Sequence, residues 1–213
     1  CALGTFRGYT DNKPSYIQPV DSRTESILAY GPLRTVVEIH DEDWQYNNQT
    51  LDLTLRYILY GGHRDAEVAV KICSDEPINS TFCTGLIKLD NCQTYSDHKG
   101  TAAVWGDNWP AGRKDTVGRK KEVLGMAVKI PQRNVVGEPE NEENMIYLMG
   151  EKARIVTKEL AFSYHIAFAS DKEEESTIHS ANEWFEWVKQ WNKQKPLTIS
   201  LPEKALEIVS KVE

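Results

Sequence analysis

Apolar and polar residues alternate one for one along much of this chain, the period of a strand with one buried and one wet face. The clearest run is Leu51 to Tyr60. There Leu51, Leu53, Leu55, Tyr57 and Leu59 alternate with Asp52, Thr54, Arg56, Ile58 and Tyr60. Gly61-Gly62-His63-Arg64-Asp65 then turns the chain and Ala66 to Cys73 alternates again, which predicts a hairpin. Leu160 to Ala169 is the second clean case, with Leu160, Phe162, Tyr164, Ile166 and Phe168 on one face and Ser163, His165 and Ala167 on the other. Weaker strand signals lie at Glu25 to Tyr30, Leu33 to His40, Leu86 to Leu89, Thr101 to Trp105, Glu122 to Ile130, Met145 to Met149 and Leu197 to Leu201. The polar runs Asp90 to Gly100, Gly106 to Lys121 and Gln132 to Asn144 read as loops, and Pro202 to Val212 as a helical or frayed tail.

One segment has the helical period instead. Ser180-Ala181-Asn182-Glu183 is a capping box, and Trp184, Trp187, Val188 and Trp191 follow at i, i+3, i+4 and i+7 before Pro196. This predicts an amphipathic helix that lays its indoles on a sheet. The strands do not alternate with helices, which excludes a doubly wound α/β fold. Roughly nine strands and one late helix predict an all-β protein, an antiparallel β-sandwich in a single domain over residues 1–213.

Composition narrows the partners. A chain of 213 residues is long enough to bury a core, and its net charge of −7 leaves no basic footprint for nucleic acid. The basic patch from Arg113 to Lys121 reads as an exposed loop. No apolar run approaches the length that spans a membrane. Among the four cysteines, a Cys73–Cys83 bridge across the intervening polar turn is feasible, and so are free thiols. No Cys or His spacing matches a zinc site. The run Asp41-Glu42-Asp43 lacks the spacing of a calcium loop and reads as a solvated charge run. Neither a metal nor a cofactor is predicted.

The stretch from Thr81 to Trp109 concentrates the candidate chemistry. In its polar run, Tyr95 and His98 are candidates for acid and base, and Lys99, with Arg64 from the GGHRD turn, for cations that neutralise a substrate carboxylate. The alternative is that Asp97, His98 and Lys99 form a polar turn, and that Arg64 pairs with Asp65. If the leucine rows point inward, Arg56, Glu38, His165 and Lys71 come to the opposite faces. His98 or His165 with Glu38 is then the base–acid pair an epimerase needs. Asp97 and Asp107 are the local carboxylates a hydrolase would want. His63 joins Arg56, His165 and Glu38 as a candidate substrate contact. Trp105 and Trp109 divide between core and sugar platform, and Trp109, next to Pro110 in a loop, is the better platform.

The segments GPLRTVVEI, LRYILYGGHRD, FCTGLIKL, YSDHKGTAAVWGDNWP, LGMAVKIP and NEWFEWVKQW, in order from Gly31 to Trp191, resemble an uncharacterised family of secreted bacterial proteins often encoded beside polysaccharide-degrading enzymes. The resemblance implies a galactose-mutarotase-like β-supersandwich and a secreted or periplasmic location. It also implies that this chain is the C-terminal part of a longer one. The family supplies no catalytic residues to carry over. The expectation is a carbohydrate-active enzyme with a carbohydrate ligand, acting on a uronate-containing polysaccharide by lyase-type acid/base chemistry. The alternatives are a glycoside hydrolase or epimerase, and a glycan-binding module without clustered titratable groups.

Overall fold

The computed structural model describes residues 1–109, 120–150 and 157–193. Within them the strands, numbered along the chain, are β1 (Arg7–Thr10), β2 (Lys13–Ser15), β3 (Ser22–Ala29), β4 (Arg34–Tyr46), β5 (Gln49–Tyr60), β6 (Asp65–Cys73), β7 (Phe82–Ile87), β8 (Asp90–Ser96), β9 (Thr101–Asn108), β10 (Glu122–Lys129), β11 (Val135–Gly137), β12 (Asn144–Met149) and β13 (Glu159–Ser170). One helix, α1, spans Ala181–Lys193. The strands form an eight-stranded sheet, β3-β4-β5-β6-β13-β10-β9-β8, and a five-stranded sheet, β11-β12-β7-β1-β2, both antiparallel. The protein is an antiparallel β-sandwich with one late helix.

Alternation decides the layers. Leu51, Leu53 and Leu55 of β5, Val68, Val70 and Ile72 of β6, and Phe162 and Tyr164 of β13 point inward and meet Phe82, Leu86 and Tyr147 of the small sheet. Two hairpin residues with positive φ, Asn47 and Asn48, join β4 to β5, a conformation that asparagine tolerates better than most residues.

The other face of the large sheet is covered only in part. Ala103 and Trp105 of β9, Ala127 of β10, and Ala167 and Ala169 of β13 take Trp184, Val188 and Trp191 of α1 in a second core. Small residues on the strands let the indoles sit close. A Cβ on Gly125 would lie 2.8 Å from Trp105 and 2.9 Å from Trp184. The capping box forms: Ser180 Oγ donates to Glu183 Oε2 at 2.8 Å, and the same carboxylate accepts the His179 amide at 2.9 Å. Strands β3 to β6 leave their outer face uncovered by the helix, so α1 roofs only the β13-β10-β9 side of that face.

Several expectations are corrected. Asp90 to Gly100 is not all loop, because Asp90–Ser96 pairs with β9 as the edge strand β8. The run from Gln132 to Asn144 holds a 3-10 turn at Gln132–Asn134 and β11. Phe168 continues the row of Phe162 and Tyr164 in β13 but is exposed and outside the core they join. Asp41 is not solvated: its carboxylate is fully buried and paired with Arg23. All four cysteines are free, with Cys73 at the end of β6 and Cys83 buried in the other sheet. Burial pushes the Cys83 thiol up to about 12. Among the described residues no helix is long and apolar enough to cross a membrane. The strand candidate Leu197 to Leu201, the tail from Pro202, Pro196, and the basic patch up to residue 119 lie outside the described residues.

Candidate active site

The uncovered half of the outer face meets the C-terminal end of α1 at the start of β6. The turn that delivers β6 needs Gly62, whose φ of +75° suits glycine. Asp65, the first residue of β6, then projects to the outer face. His165 reaches the same place from β13, where it pairs across the sheet with Glu67 on one side and Lys129 on the other. Trp191 comes down from the last turn of α1.

Asp65 is the hub. Its Oδ1 lies 3.3 Å from His63 Nδ1. Its Oδ2 accepts the indole N–H of Trp191 at 3.2 Å and stands 3.3 Å from His165 Nδ1, an ion-pair distance without hydrogen-bond alignment. His165, chiefly, then Trp191 and His63, hold the Asp65 carboxyl down at about 2 against the opposing effect of burial. The carboxylate is therefore fixed and charged, and it addresses two imidazoles by the same ring nitrogen.

The surroundings are aromatic and polar in turn. Trp184, Trp187 and Trp191 stack along one side of α1, with ring centroids 5.2 and 5.5 Å apart. Lys129 Nζ donates to the Trp191 carbonyl at 3.0 Å and lies 5.3 Å from the centre of the Trp191 ring, a cation at a helix C-terminus. Burial lowers its pKa, and nearby Asp65 opposes that shift. Arg64 forms the rim: it donates to Glu173 at 2.8 Å, to the Phe168 carbonyl at 3.2 Å and to Ser176 at 3.3 Å. A cavity of about 640 Å³ is lined by His63, Arg64, Asp65, Glu173, Trp187 and Trp191; His165 and Lys129 stand behind Asp65 and Trp191 and do not line it.

The other predicted residues fall elsewhere. Tyr95, His98 and Lys99 do not converge. Strand alternation turns Tyr95 to the helix, 6.1 Å from the ring of Phe185 and under Lys189. His98 lies in the following turn with a φ of 53° and its side chain 81% exposed, 3.1 Å from Glu138. The Lys99 side chain has no partner among the described residues, and its amide donates to Asp97 Oδ1, as does that of Thr101. YSDHKG is thus an Asx-type turn, held to the end of α1 by Asn192 donating to Asp97 Oδ2. Trp105 is buried beneath α1 and offers no face to a ligand. Trp109 is half-buried, its amide held by its neighbour Asn108.

Glu38 and Arg56 do share the outer face with His165. They pair with each other, and the Glu38 strand is three strands from that of His165, about 14 Å at ordinary strand spacing. Glu38 is therefore not a partner for His165. Arg64 pairs with Glu173, not with Asp65. Residues that pattern reading missed are Asp65, Lys129, Glu173 and the cavity-lining role of Trp187 and Trp191. A second concavity of about 650 Å³ lies between β8 and the 138–147 segment, where Ser96 and Tyr147 are hydrogen-bonded at 3.0 Å. Among the described residues, no cluster of His, Cys, Asp or Glu has the geometry of a metal site.

Comparison with known proteins adds a family. A sequence profile described as a domain of unknown function, DUF4861, matches residues 1–199. The chain belongs to the DUF4861 family. No curated protein matches it. Among solved structures it is similar to a variant of the GH36 alpha-galactosidase AgaA from Geobacillus stearothermophilus, in complex with 1-deoxygalactonojirimycin. That match has 8% identity and a TM-score of 0.35, over 78% of this chain and 30% of the other. The DUF4861 chain thus spans under a third of that enzyme's length, and a likeness so loose says nothing about the site.

Proposed function

We propose that this DUF4861 protein is a carbohydrate-active enzyme that moves protons on a saccharide held in the Asp65 cleft. The observation that carries the reading is the single carboxylate set 3.3 Å from an imidazole nitrogen of both His63 and His165. At His63 the hydrogen-bonded carboxylate favours the tautomer with its hydrogen on Nδ1, which leaves Nε2 free as a base, whereas His165 is held by charge alone. Two imidazoles oriented by one anion are the parts needed for paired proton removal and return. Trp187, half-buried on the cleft wall and stacked between Trp184 and Trp191, presents an apolar ring edge to the cleft.

On a uronate the chemistry is β-elimination. One imidazole, neutral, takes the proton next to the carboxylate, the electron pair forms the new double bond, and the glycosidic oxygen leaves with a proton from the other, which enters the step as imidazolium. Arg64 is the nearest cation to such a carboxylate at the rim. Because Glu173 already matches its charge, the substrate has to take the place of Glu173 on the guanidinium.

The test is to incubate the protein with a panel of uronate polymers and follow the ultraviolet absorbance of the unsaturated product. A rise in the wild type that vanishes in His165→Ala is the expected result. Polymer binding without turnover sinks the enzymatic reading and leaves a glycan-binding module, the second reading that the Trp187 wall supports.

A further inference from the structure

The cleft does not end at His63. The Tyr60 ring lies 5.8 Å from the His63 ring and is 42% exposed. By the alternation of β5 it projects to the same outer face as Arg56 and Ile58, and Ile58 pairs with Glu67, the cross-strand neighbour of His165. Beyond Tyr60 the turn between β3 and β4 packs directly on the β5–β6 turn. The Gly61 amide donates to the Leu33 carbonyl at 2.9 Å, and a Cβ on Gly61 would lie 2.5 Å from the Pro32 carbonyl oxygen. That packed turn carries Tyr30 and Leu33, which are 88% and 82% exposed. Large apolar side chains so open to water, gathered at one place, mark a binding surface more often than chance.

The identity of these residues decides the occupant. Two of them are tyrosines, flat faces with a hydroxyl at the tip, suited to a ligand with one apolar and one hydroxylated aspect. Tyr60 meets the cleft at His63, which lines it with Gly62, Trp187 and Trp191, and Tyr30 belongs to the turn packed on the same hairpin turn. We infer that Tyr60 and Tyr30 extend the cleft into an aromatic track, and that the substrate is a long saccharide chain whose flanking residues stack on this track while one residue sits at Asp65. This rests on the reading of the Asp65 cleft as a saccharide site. It adds that the ligand is a polymer and gives the side from which it enters.

The experiment compares wild type, Tyr60→Ala, Tyr30→Ala and the distant surface control Val136→Ala, each confirmed folded by circular dichroism. Retardation in gels containing the uronate polymers is measured first, then KM on the polymer that the wild type turns over and on a disaccharide from it. The track predicts about a five- to tenfold loss of polymer affinity for each tyrosine variant, with disaccharide KM changed much less and Val136→Ala unaffected. Tyrosine variants that bind and turn over polymer like the wild type overturn the track while leaving the Asp65 reading intact. A wild type that binds polymer without turnover removes the enzyme, and the gel assay still decides the track. The inference is overturned by a wild type that no polymer retards. It is equally overturned if the wild type sediments as a dimer and Tyr30→Ala as a monomer, because the tyrosine then serves self-association.

Discussion

Asp65 and His165 face each other across adjacent strands, carboxylate Oδ2 to ring Nδ1 at 3.3 Å, on a sheet face that is half roofed by a helix. The relationship is held from three sides. Strand register sets the two backbones, Trp191 fixes the carboxylate from above, and His63 occupies its other oxygen. Such a charged group is costly to bury and is retained where partners compensate it.

A pH dependence follows from it. The Asp65 carboxyl is depressed from an ordinary 3.8 to about 2. A depressed carboxyl stabilises the fold above its unfolded pKa and loses that contribution as pH falls through the folded one. Asp65→Asn should therefore be less stable than wild type by about 1–2 kcal/mol at neutral pH, allowing for solvent screening. The gap should close between roughly pH 4 and pH 2. Urea melts of both proteins across that range are the check, and a gap that does not change with pH contradicts the assignment.

The rim ion pair predicts local order. Arg64 ties Glu173, Ser176 and the Phe168 carbonyl together, and Glu173 also accepts the Ser170 amide. Arg64→Met should leave the sandwich folded, cost about 1 kcal/mol or a little more, and speed amide exchange in residues 170–179 selectively. Exchange that rises uniformly over the sheet, or not at all, contradicts the tie.

The roofing helix makes two predictions with different sizes. Ser180→Ala removes the cap and should cost about 1 kcal/mol. Gly125→Ala puts a methyl group between Trp105 and Trp184 and should cost about 1–3 kcal/mol through overpacking, with a shifted tryptophan emission. Thermal melts followed by fluorescence measure both. A neutral Gly125→Ala would mean that the indoles do not pack on the strand as described.

Much of this fold was legible because its strands obey a simple rule. Wherever one face met the core and the other met water, as in β5 and β13, the period of two stood out, and Ser180 with Glu183 marked the helix start. The rule fails at β8. This edge strand has the residues Asp90 to Ser96 with a register shift near Asp90 and mostly exposed side chains, so no apolar row reveals it. The candidate cluster was legible only in part. His63, Arg64 and His165 stood out by residue chemistry, but Asp65 looked like the partner of its neighbour Arg64. Its true partners, His165 and Trp191, are far away in the chain and are brought close only by strand order and by the helix. Tyr95, His98 and Lys99 looked convergent for the opposite reason. They are adjacent in sequence, and a strand followed by a turn sends their side chains apart.

Cysteine chemistry gives a simple check on the layers. Cys83 is buried on β7 beside the Gly8 carbonyl, and burial pushes its thiol up to about 12, whereas Cys73 and Cys92 are partly open. Alkylation of the native protein at neutral pH should label Cys73 and Cys92 well before Cys83, and mass mapping should find no Cys73–Cys83 bridge. Early labelling of Cys83 would mean that its face of β7 is not covered as described.

The most direct test of the central claim is the turnover number of Asp65→Asn beside wild type on a uronate polymer that the wild type cleaves. The exchange keeps the shape of the side chain and removes the charge that orients His63 and His165. A fall in kcat of about a hundredfold or more with KM nearly unchanged is the predicted result. An Asp65→Asn protein as fast as wild type contradicts the account, and so does a wild type that cleaves no such polymer.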